Sequence, residues 1–178
     1  MEYSVRFDEI KWLLVDQIYD LPIAREVFLD YRESLDFDVQ SKKHAAIIRM
    51  CTSYTILNLA KLWEILDEYG NEVNSLPEPL RKNCINLKKK LVELKVFQFR
   101  SKYIAHVFDH DIKPKKPLAL ESAQKRLNDI VGENMSELAD FFNWVCPSKN
   151  KELSGSVVGV VSDLRDYCNT IDSSDVRL

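Results

Sequence analysis

The chain has 178 residues, 46% of them apolar and 30% charged, which suits one globular domain and excludes a disordered or low-complexity polypeptide. Only four glycines and six prolines argue against a sheet-rich fold and for long helices. A net charge of −3 excludes a general polyanion binder, and four widely spaced cysteines with no CxxC pair exclude a zinc ribbon or thioredoxin-type site.

Residues 7–20, FDEIKWLLVDQIYD, predict a helix with Ile10, Leu13, Leu14 and Ile18 on one face. Leu21-Pro22 predicts an interruption, because proline disfavours helix just before it and fits a new first turn. A second helix is expected to about Leu35, carrying Ile23, Val27, Phe28 and Tyr31. Residues 41–69 predict a long helix whose inward face draws on Ile47, Met50, Tyr54, Leu57, Trp63 and Leu66, with Gly70-Asn71 as its stop. SLPEPL at 75–80 reads as a linker and helix start, after which the pattern runs through Leu87, Leu91, Leu94, Ile104 and Phe108 until KPKKP at 113–117 breaks it. A further helix is expected over roughly 119–145. A last one keeps Val157, Val161, Leu164 and Cys168 together, although its valines and Gly159 weaken the helical signal. The architecture expected is an all-α, single-domain bundle, with residues 1–146 as the helical domain and 147–178 as an extension packed on it. The charged N-terminus has no apolar h-region and no window approaches a span of roughly 20 apolar residues, so a cytoplasmic protein without a membrane partner is expected. The cysteines Cys51, Cys84, Cys146 and Cys168 are read as small packed residues in a reducing compartment.

Charge is unevenly placed. Residues 80–102 hold eight bases against the single acid Glu93, whereas residues 1–40 hold ten acids against four bases. A concentrated basic helix attracts an anionic polymer locally, although a lysine face is equally the ordinary solvated side of a helix. The basic run leads directly into FRSKYIAHVFDHD at 99–111, with Arg100 and His106 six positions apart.

Those two residue types suit phosphodiester cleavage without a metal. Histidine titrates near neutrality and can move a proton, and arginine offers a planar fork of donors to phosphate oxygens. On a straight helix, however, six residues leave the pair about 120° apart and about 9 Å apart along the axis. Convergence on one phosphate therefore needs either a departure from regular helix or a second copy of the chain. His106 and His110 stand at i,i+4 beside Asp109 and form a metal-chelating pattern. No third distant ligand is indicated, so no metal or other cofactor is assigned. P-loop, GxGxxG, GxSxG and HExxH patterns are absent.

Arg100-Ser-Lys-Tyr-Ile-Ala-His106 resembles the Rx4–6H motif of HEPN domains, and the "IAH" ending after a Lys/Leu-rich helix most resembles the AbiU-type branch linked to abortive phage infection. The resemblance covers residues 5 to 145. It implies a HEPN-type helical bundle acting as a homodimer, a metal-independent endoribonuclease, and a toxin or antiphage effector restrained by a cognate antitoxin or regulatory protein. By position, Arg100 would bind the scissile phosphate and His106 would perform or support proton transfer. Ser101 stands where the family usually carries Asn, Asp or His, and Asp109 would support His106. Lys88, Lys89, Lys95 and Lys102 would track the RNA backbone, and Tyr103 would stack on a base. Phe108, where related proteins modified at that position carry tyrosine, does not support that mode of regulation. The alternative from another class is a non-catalytic module binding RNA or a protein through the same surface.

Overall fold

The computed structural model describes residues 2–104, 108–109, 116–117, 120–148 and 152–174. The first helix, α1 (Glu2–Glu33), runs uninterrupted through Pro22. The reason lies in its buried stripe. Phe7, Ile10, Leu14, Gln17, Leu21, Ala24, Phe28 and Tyr31 alternate in steps of three and four and are all buried. Proline in a helix interior costs about 3 kcal/mol, whereas burying Leu21 and Phe28 contributes about 1.5–3 kcal/mol each. The packing outweighs the lost hydrogen bond, and the expected break at residue 21 does not occur. Pro22→Ala is accordingly expected to raise stability by about 1–3 kcal/mol in urea unfolding; no gain would mean that the helix is not continuous there.

The same helix corrects the expected core. Leu13, Ile23 and Val27 are exposed, because the buried stripe is centred on Ile10 and Leu14 instead. Helix α2 (Lys42–Glu68) begins at Ser41, whose Oγ accepts the His44 backbone N–H at 3.0 Å. Its buried line runs through Cys51, Thr55, Leu59, Leu62 and Leu66, leaving Met50 exposed against expectation. Gly70-Asn71 does not stop the helical path for long: α3 (Gly70–Ser75) follows at once. After Pro77 comes α4 (Glu78–Glu93), burying Cys84, Leu87 and Leu91.

The expected helix over 119–145 is two helices, α6 (Leu120–Val131) and α7 (Met135–Val145). Gly132 ends α6 at φ +95°, and a Cβ there would lie 2.2 Å from the Glu137 Cβ, so only glycine fits. Asn134 then caps α7, accepting the N–H groups of Ser136 and Glu137. The last helix, α8 (Val157–Ser174), buries Val157, Val161, Leu164 and Cys168 on the line read from the sequence.

Helices α1, α2, α4 and α8 close a ring in which each packs on two others, and α7 leans on α1 and α8. The result is an all-α bundle. A two-residue antiparallel ladder, β1 (Phe108–Asp109) with β2 (Lys116–Pro117), is its one non-helical pairing among the described residues. Phe108, expected on a helix, lies in it. Arg6 donates to Glu72 at 2.6 Å and ties α1 to α3. Burial opposes the charge on Glu72, but the Arg6 bond overcomes it and holds the carboxyl below its ordinary value. The four cysteines are free, and burial pushes the thiols of Cys84 and Cys168 up to about 12. Among the described residues no helix is long and apolar enough to cross a membrane.

Candidate RNA-facing site

The basic stretch does not continue α4 into the motif. Val96 and Phe99 are both buried, yet on an unbroken helix Val96 would point about 140° away from Leu91. The chain re-phases at Lys95, which adopts the left-handed conformation at φ 55°, ψ 33°. That conformation costs about 1–2 kcal/mol for a residue with a side chain, less than burial of Val96 and Phe99 returns. Lys95→Gly is therefore expected to stabilise the fold by up to about 1 kcal/mol in urea unfolding while removing a cation from the site. Destabilisation would mean that the left-handed turn is not there.

After Lys95 comes a single α-helical turn, α5 (Val96–Phe99), followed by a π-helical turn over Arg100–Ile104. Bonds of the i→i+5 type widen the turn, and such segments recur at functional sites. Arg100 thus stands where regular helix ends. A departure from regular helix, one of the two conditions for bringing Arg100 and His106 together, lies between them. His106 itself, with His110 and Asp111, lies outside the described residues, as does any metal pattern built on them. For Asp109 the structure gives the backbone, in β1 opposite Lys116.

Arg100 is half-buried and donates from Nη1 to Glu64 Oε1 of α2 at 2.9 Å. Its guanidinium also lies 5.9 Å from the centre of the Phe97 ring, which packs on Trp63 at 4.9 Å. An aromatic shelf and a carboxylate therefore hold the planar fork, and four of its five N–H donors are not used by the Glu64 bond. Ser101 follows on the π turn, half-buried.

The predicted RNA-binding residues fall into two groups. Lys95, Lys102 and Tyr103 line one small pocket of about 100 Å³ with Gln98, Arg126 and Asp129. Tyr103 stacks on Phe99 at 5.2 Å, and the Arg126 guanidinium lies 5.9 Å from its ring centre. Lys88 and Lys89 instead border a separate groove on α4, and Lys88 is paired with Asp67 at 2.7 Å. The left-handed turn at Lys95 divides the two groups. Sequence reasoning missed Glu64 and Arg126. Glu64 stands 36 positions from Arg100 with no motif to mark it, and Arg126 belongs to an amphipathic helix beyond the basic run. Among the described residues no three His, Cys, Asp or Glu side chains are grouped to hold a metal ion.

The fold has a counterpart of known structure. The chain superposes on an integron cassette protein, Vpc_cass2, from the mobile metagenome of V. paracholerae, with a TM-score of 0.73 and 25% identity over 92% of this chain and 95% of that one. No family model matches the chain, and no curated protein matches it.

Proposed function

We propose that this protein is a metal-independent endoribonuclease of HEPN type, a toxin or antiphage effector whose Arg100 and His106 act with those of a second copy. The observation that supports this most is the setting of Arg100. It stands at the transition from α to π helix, held by Glu64 and Phe97, and the same turn carries Lys102 and Tyr103 into a pocket with two further cations. Arg100 would hold the scissile phosphate and the developing phosphorane charge. His106 would take or return a proton. Lys95, Lys102 and Arg126 would anchor a neighbouring phosphate, with Tyr103 as a face for an unpaired base.

One observation favours the second reading, a helical module that binds RNA or a protein without cutting. The Glu64 carboxylate offsets the charge of Arg100, as it would for a residue that serves only to join α2 to the π turn. RNA cleavage in excess EDTA by the wild type, Arg100→Ala and His106→Ala separates the two. Cleavage lost in both variants supports the enzyme, and RNA bound but left intact by the wild type supports the binding module. Activity abolished by EDTA alone would point to the histidine–aspartate metal pattern instead.

A further inference from the structure

Helix α1 carries a second line opposite its buried one. Val5, Trp12, Tyr19, Ile23 and Val27 recur in an arc of about 80° and are 37–74% exposed. The same arc holds Glu9, Asp16 and Asp30, all exposed, and no base. Its inner and outer faces are therefore both apolar, and the outer one is acidic as well. An apolar line about 33 Å long from Val5 to Val27, interleaved with acids and with one ammonium, that of Lys11, 5.5 Å from the Trp12 ring centre, is more than scattered surface hydrophobics.

A surface of opposite character lies on the same molecule. Beside α3 and α4 runs an open groove of about 480 Å³, with Leu66 of α2, Val73, Ile85 and Val92 as its apolar walls and two bases, Lys88 and Lys89, against one acid, Glu93, in its lining. On α4 the apolar pair Ile85 and Val92 stand seven residues apart with the lysines between them. On α1 Trp12 and Tyr19 likewise stand seven apart with Asp16 between them. Each spacing is about 10.5 Å along its helix. Laid together, the aromatic residues meet the apolar walls while Asp16 meets Lys89. Stripe against stripe would instead oppose acid to acid, which like-charge repulsion disfavours.

We propose that the outer stripe of α1 seats in the α3–α4 groove of a second copy, whose own stripe seats reciprocally in the first copy's groove. Arg6 to Glu72 and Tyr69 to Glu9 hold the first turns of α1 beside α3, so stripe and groove share one end of the bundle. Both α1 and α4 start at that end and run antiparallel to α2, so a two-fold axis running along the helices keeps α1 parallel to the partner's α4, makes both contacts at once and closes the dimer without open-ended growth. The groove also adjoins Arg100. Lys88 pairs with Asp67 and Arg100 with Glu64, one turn apart along α2. This interface gives the composite nuclease site its dimer, but it rests on the shape and charge of these two faces rather than on RNA cleavage.

Charge exchange tests it by sedimentation of the full chain, with circular dichroism to show that each variant is folded. Asp16→Lys and Lys89→Glu are each expected to weaken self-association about tenfold or more. Combining them in one chain, or mixing the two single variants, restores the dimer, because each new charge then faces its opposite. Trp12→Ala weakens association and is not rescued by either exchange. A wild type that stays monomeric at its solubility limit overturns the proposal. So does a dimer indifferent to both exchanges, or one weakened by them but not restored by their combination. Cleavage is measured separately: an intact dimer with no nuclease activity refutes the enzyme and leaves this interface standing.

Discussion

Arg100→Ala is expected to slow RNA cleavage by roughly 10²–10³-fold, the loss that follows removal of one preorganised donor from a developing oxyanion, about 2.7–4 kcal/mol. The fold should scarcely notice. The side chains of Arg100 and Glu64 are 35% and 44% exposed, and ion pairs of that kind contribute about 0–1 kcal/mol. A thermal melt close to wild type beside a large loss of activity therefore separates a reacting residue from a strut. His106→Ala carries a parallel expectation, a loss of roughly 10²–10⁴-fold, in the range for a general acid or base. Glu64→Gln sharpens the test, because the amide keeps an acceptor for Arg100 and removes the charge. A unit charge about 5 Å from a phosphate is worth roughly 1 kcal/mol in a watery setting, or about fivefold in affinity. Glu64→Gln should thus lower KM several-fold with kcat little changed. A fall in kcat at constant KM would instead show that the Glu64 charge holds Arg100 in the transition state. Cleavage surviving Arg100→Ala would remove Arg100 from the mechanism altogether.

How far the residues could be read depends on what a periodic pattern can carry. The stripe of α8 was legible because only one face of that helix is apolar beyond its first turns, and the spacing from Val157 to Cys168 admits one phase. On α1 the pattern was ambiguous, since the buried line through Ile10 and Leu14 and the exposed line through Trp12 and Ile23 are both apolar. Periodicity detects each and ranks neither, so Ile23 and Val27 of the outer line read as inward residues, and Leu13, between the two lines, reads with its neighbour Leu14. On α2 Met50 is a single exposed apolar residue beside the buried line through Cys51 and Thr55. Proline is a local breaker, but at Pro22 its cost is smaller than the burial on either side, a quantity no short window contains. At the site, Arg100 was visible through its motif, whereas Glu64 was not, because a contact across 36 residues leaves no mark in local spacing. The left-handed Lys95 was equally hidden: lysine gives no turn signal, and the conformation is imposed by the need to bury Val96 and Phe99.

Gly159→Ala is expected to destabilise the protein by about 1–3 kcal/mol or more, against a helix-propensity gain of about 1 kcal/mol in the other direction. Gly159 lies in the first turn of α8, where alanine is ordinarily an improvement. Here an added Cβ would fall 2.1 Å from the carbonyl oxygen of Leu153 and 2.8 Å from its carbonyl carbon. The obstruction is backbone, and it is pinned. Leu153 O accepts the Ser156 hydroxyl at 2.6 Å and the Ser156 N–H at 3.0 Å, while Ser156 Oγ accepts the Gly159 N–H at 3.0 Å. Moving the carbonyl aside would loosen the cap that starts α8. Moving the helix instead would shift Val157, Val158, Val160 and Val161, all buried against the bundle. Neither route is cheap, so the methyl has nowhere to go. Gly70→Ala supplies the control, because nothing lies within 4 Å of its added Cβ and its backbone is not left-handed. It should gain up to about 1 kcal/mol. Urea unfolding of the two variants should therefore give opposite signs. A stabilised Gly159→Ala would show that the segment around Leu153 does not press on α8, and would leave the glycine in that helix without a steric cause.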